Sequence, residues 1–212
     1  MSKNNRLNKV VECCLLAKVD DFKTTETKRE KSHKQRRVML EIRKAKVEEI
    51  ERVVNYYHNV IDAMEGSKYN PCWKKNIYPS DEYIKKAIND QNIFLGFDDG
   101  RIATAMMLDN KANPGYVDVD WQREFPQHEI MVVHIFGVHP YFTGKGYAKK
   151  MMARAIEHAK EQGQKALRLD VLSGSVPAKK LYEKMGFKEI VTIDMFYEDT
   201  GWTKFDLYEY LL

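Results

Sequence analysis

Three features of this sequence could act on a ligand: a glycine-flanked turn that can grip an anion, a tyrosine that can release a proton, and a histidine that can accept one. The turn is Val138-His139-Pro140-Tyr141-Phe142-Thr143-Gly144-Lys145-Gly146-Tyr147-Ala148. The apolar run Ile130–Val138 enters glycines and passes directly into a helical pattern. The first N–H groups of a helix have no partner inside it, and the helix dipole adds partial positive charge there. Glycines let the backbone come close to an anion. Such a turn is a cradle for pyrophosphate. It is not a Walker loop, because position 139 is His and Lys145 is followed by Gly146. It is not a dinucleotide fingerprint either, because position 149 is Lys where a third glycine is needed.

A second segment narrows the chemistry. Leu169-Asp170-Val171 is followed by Ser175, Ala178, Leu181-Tyr182 and Gly186-Phe187. Together with Gly146 and Ala148 of the turn, this order resembles the acyl-CoA signature of the GNAT (Gcn5-related) N-acetyltransferases. Thr143 stands where that family usually has Arg or Gln, and Ser175 where it has Asn. The specific motifs span Met131–Phe187, and the resemblance as a whole spans about Val38–Leu211.

The resemblance implies direct transfer of an acetyl group from acetyl-CoA to a primary amine of a small molecule or peptide. The pyrophosphate would sit on the amides of Thr143, Gly144, Lys145, Gly146, Tyr147 and Ala148. A backbone N–H near Phe136, Gly137 and Val138 would face the developing oxyanion, with Ser175 and Ala178 completing the coenzyme site. Tyr182 matches the position that protonates the departing thiolate; a phenol of pKa about 10 can serve a thiol of pKa about 8.5. His134 falls where arylalkylamine acetyltransferases carry a histidine, and imidazole ordinarily titrates near neutrality. A core histidine is the alternative. Glu129 is a second candidate base, and a water relay would need neither. Trp73, Tyr78, Tyr116 and Trp121 could wall an acceptor pocket. Asp118 and Asp120 could draw a cationic amine or form a solvated acidic loop. The departures at Thr143 and Ser175 leave a non-catalytic acyl-CoA-binding module as the alternative function.

The elements that must position these residues alternate along the chain. Val38–Arg43 reads as a strand. Val47, Ile50, Val53, Val54, Tyr57, Ile61 and Met64 recur at helical spacing before Gly66. Ser67–Pro79 reads as an aromatic-rich loop, and Ser80 or Asp81 caps a short helix through Ile88. Ile93–Phe97 and Ile102–Leu108 flank Asp98-Asp99-Gly100 as a hairpin. Asn110–Gln127 is irregular. Ile130–Val138 and Ala166–Leu172 are strands with a helix from Tyr147 to Ala159 between them. A short helix around Ala178–Met185 and a hairpin of Val191–Tyr197 with Trp202–Leu211 close the chain. This order predicts an α+β or mixed α/β fold around a central sheet; the resemblance adds a mostly antiparallel sheet whose parallel pair splays at the coenzyme site, with flanking helices. Alternation along the strand puts His134 on the face of Val132, Phe136 and Val138, unless a bulge before Gly137 reverses the relation.

Composition bounds the rest. The 212 residues, 43% hydrophobic, suffice for one domain with an extension. Of the net charge of +4, the first forty residues carry +6, from eleven Lys/Arg against five Asp/Glu. The excess belongs to a basic extension, residues 1–37, and not to the acetyltransferase domain, residues 38–212, which argues against nucleic-acid binding by the body. Leu7, Val10, Val11, Cys14, Leu15, Val19 and Phe22 recur at helical spacing. The extension is either expendable or a helix that docks on a partner subunit, as in a homodimer. Three cysteines, two adjacent, suit neither a disulfide framework nor zinc, so no metal is expected. The absence of a signal-like or membrane-length apolar run points to a cytoplasmic protein that works off the membrane.

Overall fold

The computed structural model describes residues 40–212; the expected N-terminal helix lies outside them. The chain forms β1 (Glu41–Lys44), α1 (Ile50–Met64), α2 (Asp81–Asn89), β2 (Ile93–Asp98), β3 (Arg101–Asp109), β4 (Ile130–Val138), α3 (Tyr147–Glu161), β5 (Ala166–Leu172), α4 (Val176–Lys184), β6 (Lys188–Tyr197) and β7 (Gly201–Leu211). The seven strands make one sheet in the order β1-β2-β3-β4-β5-β7-β6. The pair β4–β5 is parallel and all the others are antiparallel. The architecture is the mixed α/β sheet expected, with one parallel pair at its centre.

Local signals account for most boundaries. Asp99 and Gly100, at φ +49° and +70°, make the tight β2–β3 turn. Ser80 caps α2, its side chain accepting the Tyr83 N–H at 3.1 Å. α4 starts at Val176, two residues before Ala178, because Pro177 suits a first helical turn. The stretch between β3 and β4 holds two short 3-10 turns, Pro114–Tyr116 and Gln127–Glu129.

The faces of the sheet carry different layers. One apolar cluster joins α1 and α2 to Leu95, Met107 and Ile135. Another joins α3 and α4 to Met106, Val133, Leu167 and Tyr208. A third, around Tyr116, Ile130, Val132, Met195 and Phe205, covers the β6–β7 side. Burial of these side chains, at about 1.5–3 kcal/mol each, is what holds the strands at fixed spacing around the site. No described helix is long and apolar enough to cross a membrane.

Candidate active site

β4 and β5 separate along their length. They pair over only three positions, Ile130 with Ala166, Met131 with Leu167 and Val132 with Arg168. β4 stays on β3 as far as Val138 opposite Thr104, and β5 stays on β7 as far as Leu172 opposite Phe205. Beyond Val132 and Arg168 the facing edges therefore no longer pair with each other, and a ligand entering the gap meets backbone polar groups on both sides.

A bulge in β4 accompanies the separation. The β3–β4 register slips between Ala105 and Met107, so Ile135 and Phe136 together oppose Met106. Ile135 sits at φ +41°, a conformation costing a β-branched residue about 1–3 kcal/mol. The surroundings hold it there. Tyr57 donates to the Ile135 carbonyl at 3.1 Å, while Tyr56 and Thr104 both donate to the Gly137 carbonyl at 2.8 Å. A Cβ on Gly137 would lie 3.3 Å from the Trp73 ring, a contact that the ring would have to yield to. The bulge also reverses alternation. Val133 and Phe136 join the α3 layer, whereas Ile135 joins the α1 layer. His134 thus does not share a face with Phe136, the outcome that a bulge before Gly137 would bring.

At the upper end of the gap, Gly144 and Gly146 take φ +77° and +75°, and Gly146 is the N-cap of α3. No side chain caps that helix and no acidic residue lies in its first turn. No atom within 4 Å would crowd a Cβ on either glycine, so the space over the turn is open. The loop is pinned from beneath by buried Asp98, whose Oδ2 accepts from Lys145 Nζ and the Tyr147 hydroxyl, each at 2.8 Å. Those two bonds, Lys145 first, hold the Asp98 carboxyl below the ordinary range. Lys145 and Tyr147 therefore serve the loop's shape. Thr143 donates to the Pro140 carbonyl at 2.8 Å, closing the turn that precedes the glycines.

Below this loop lies a cavity of about 560 Å³. Phe136, Gly137, Val138, Thr143, Ala148, Ser175 and Ala178, all expected at the coenzyme, line it. So do Tyr182, His134, Trp73 and Tyr78. Tyr182 is 6% exposed. Burial, reinforced by the Asp170 charge, raises its pKa, so the hydroxyl keeps its proton at neutral pH and is available as a donor. His134 Nε2 lies 3.0 Å from Asp109 Oδ1. Burial opposes ionisation of Asp109, but the His134 bond and the Lys111 N–H outweigh it and hold the carboxyl ionised. An ionised carboxylate only accepts, so Nε2 carries a proton, and in the neutral imidazole Nδ1 is the free acceptor.

Other expected residues lie elsewhere. Glu129 ends the 3-10 turn before β4, at the closed end of the gap, and is not on the cavity wall. Asp118 and Asp120 are exposed on the connecting stretch. Trp121 stacks on the Arg168 guanidinium at 4.0 Å and donates to the Tyr116 carbonyl. Tyr116 reaches the cavity only through Asp170, to which its hydroxyl donates at 2.8 Å. Sequence reasoning missed Asp170, Tyr197 and Asp199 as wall residues. Their one signal was an acidic residue, Asp170, inside the apolar strand Leu167–Leu172. Among the described residues no His/Cys/Asp/Glu cluster could hold a metal ion.

The site thus offers an open anion cradle at one end, a narrow groove between strand edges, and a chamber with a proton donor and a basic nitrogen at the other. An elongated thioester with a phosphate-bearing head fits these residues, because the uncapped amides, the side-chain-free turn and the gap lie in sequence along one path.

Comparison with known proteins agrees with this arrangement. Residues 63–187 match the model of the acetyltransferase (GNAT) family. The chain is 34% identical over 85 residues to the N-acetyltransferase YycN of Bacillus subtilis, covering 40% of this chain and 54% of that protein. The chain thus spans only about half the length of that relative. Among solved structures, a GNAT-family acetyltransferase of Streptococcus agalactiae superposes with a TM-score of 0.66 at 19% identity, over 82% of this chain and 95% of its own. The yncA acetyltransferase of Salmonella typhimurium, solved with its cofactor acetyl-CoA, superposes with a TM-score of 0.61 at 14% identity, over 82% and 94%. These two likenesses are likenesses of fold.

Proposed function

Because the chain belongs to the GNAT acetyltransferase family, which uses acetyl-CoA, we propose that it moves an acetyl group from acetyl-CoA directly to a primary amine held beside His134 and Asp170. The observation that carries this reading is the cavity itself: Tyr182 and His134 both line the gap that begins under the Gly144–Gly146 turn. When bound, acetyl-CoA supplies an activated acyl group and a good leaving thiolate. The residues of this chain then have separable tasks. The amides from Thr143 to Ala148 bind phosphate. The unpaired edges of β4 and β5 align the arm between them. His134 Nδ1 takes a proton from an amine whose ordinary pKa is about 10, and Asp109 keeps the imidazole in the tautomer that can do so. The Tyr182 hydroxyl would give its proton to the departing sulfur and regain the one that the nitrogen sheds as the amide forms.

Release of CoA in the presence of a mixed amine library, followed by mass analysis of the products, tests the reading. Tight CoA binding with no acetylated product from any amine would instead establish a binding module.

A further inference from the structure

Two carboxylates and no described lysine or arginine line the acceptor end of the cavity. Asp170 and Asp199 lie on its wall, and among the described residues no lysine or arginine does. Lys74, beside this wall, directs its ammonium to the Asp199 backbone carbonyl at 2.6 Å. Asp170 is held in one orientation, because the Tyr116 and Tyr197 hydroxyls donate to the same oxygen, Oδ2, at 2.8 and 2.9 Å. That leaves Oδ1 for a ligand. Asp199 is 5% exposed, and its Oδ1 is buried without a hydrogen-bond donor. Buried carboxylates without a cation are costly; Lys74 stands near Asp199, but no described lysine or arginine acts on Asp170. Around them stand the rings of Trp73, Tyr78 and Tyr197, the last two with centroids 5.4 Å apart. Such faces attract an ammonium further.

We infer that the acceptor is a cationic primary amine that carries no carboxylate: a simple alkyl, arylalkyl or di-amine, and not an amino acid. The reason is charge at close quarters. An ammonium entering this chamber completes Asp170 and meets aromatic faces. The carboxylate of an α-amino acid, two bonds from the same nitrogen, meets no described lysine or arginine on the cavity wall and has two like charges to face. Burial raises the pKa of both aspartates, which is the state expected of carboxylates awaiting a cation. His134 then takes the proton from the anchored ammonium, so one chamber both selects the charged amine and neutralises it.

This inference rests on the acetyl-transfer reading, and matched acceptors separate the two. Tyramine, tyrosinamide and tyrosine share one side chain and differ at the α-substituent; cadaverine and lysine form a second pair. With saturating acetyl-CoA, kcat/KM for each amine should exceed that of its amino acid by at least about a hundredfold. Tyrosinamide, equal to tyrosine in bulk but without its charge, should fall between. In Asp170→Asn, checked for an unchanged melting curve, the amine-to-amino-acid ratio should shrink by at least about tenfold. Equal use of tyramine and tyrosine by the wild-type protein would overturn the inference and leave acetyl transfer standing, as would acetylation of peptide amines alone. No turnover of any acceptor by a protein that binds CoA would overturn both.

Discussion

The two ends of the cavity are built on opposite principles. The phosphate end is made of backbone: two left-handed glycines, an uncapped helix start and a buried aspartate that ties the loop down through Lys145 and Tyr147. Everything it needs lies within a dozen consecutive residues plus Asp98. The acceptor end is made of side chains. Trp73 and Tyr78 come from the α1–α2 connection, His134 from β4, Asp170 from β5, and Tyr197 and Asp199 from the β6–β7 hairpin. A ligand common to a family is held by backbone geometry, which few sequences can supply; a ligand particular to one member is held by side chains that can change without disturbing the fold.

Four perturbations would break or sharpen that contrast. The largest effect belongs to the backbone end. Gly146→Asp puts a β-carbon on a residue at φ +75° and a negative charge where phosphate would lie. CoA affinity should fall by more than about a hundredfold, some 2.7 kcal/mol, while Gly146→Asn, of equal size and as tolerant of that backbone but uncharged, should lose far less. Calorimetric titration reads both, and equal losses would show that the charge does not act as described.

Next comes the proton donor. Tyr182→Phe keeps the ring against Phe187 and Tyr208 and removes only the hydroxyl. Turnover should drop about a hundredfold with the KM for acetyl-CoA nearly unchanged. A matching rise in KM would place Tyr182 in binding and erase the division of labour. His134→Gln should slow the reaction about tenfold. It should also remove one titrating group from the acidic limb of the kcat/KM profile, compared across amines of different basicity. A profile of unchanged shape would leave His134 a packing residue.

The smallest effect tests the frame that both ends share. Arg43 grips Glu49 through two bonds of 2.7 and 2.8 Å, tying β1 to the start of α1, the helix whose tyrosines hold the bulge. The Arg43 hydrogen bonds lower the Glu49 pKa from 4.5 to about 2. A depressed carboxyl stabilises the folded chain fully above its unfolded pKa and progressively less as pH falls from 4.5 toward 2. Glu49→Gln should therefore lower stability by about 1 kcal/mol at neutral pH and flatten the loss between pH 5 and 2. Denaturant melts across that range would read it, with CoA affinity unchanged as the control.

How much of this was legible in the sequence follows the same division. Glycines at a strand-to-helix junction and the closing Leu-Tyr…Gly-Phe segment point to an anion cradle in the sequence because their chemistry is local. The acceptor end resisted because its members meet only after the sheet is assembled. Tyr116 and Tyr197 lie far from Asp170 along the chain, yet both hydroxyls reach one of its oxygens. Trp121 looked like a pocket wall and instead covers Arg168, and Glu129 stands at the closed end of the strand pair. Parity along β4 failed at Ile135, where a β-branched residue adopts a backbone that its own propensity opposes. Only the tyrosines of α1 and the Trp73 ring explain why it does so, and no pattern within β4 foretells them.

The three-position seam between β4 and β5 has a mechanical meaning. It is a short ladder joining two stiff leaves, β1–β4 and β5–β7, and the leaves part where the rungs stop. Buried Arg168 sits on the last rung, and its ion pair with Glu209 at 2.9 Å stiffens the β5–β7 leaf there. Compliance is thereby concentrated toward Val138 and Leu172, and a guest lying in the gap replaces the rungs that the fold leaves out. Loading the protein should then register as stiffness, with amide hydrogens from Val133 to Val138 and from Leu169 to Leu172 exchanging more slowly, while those at the seam barely change.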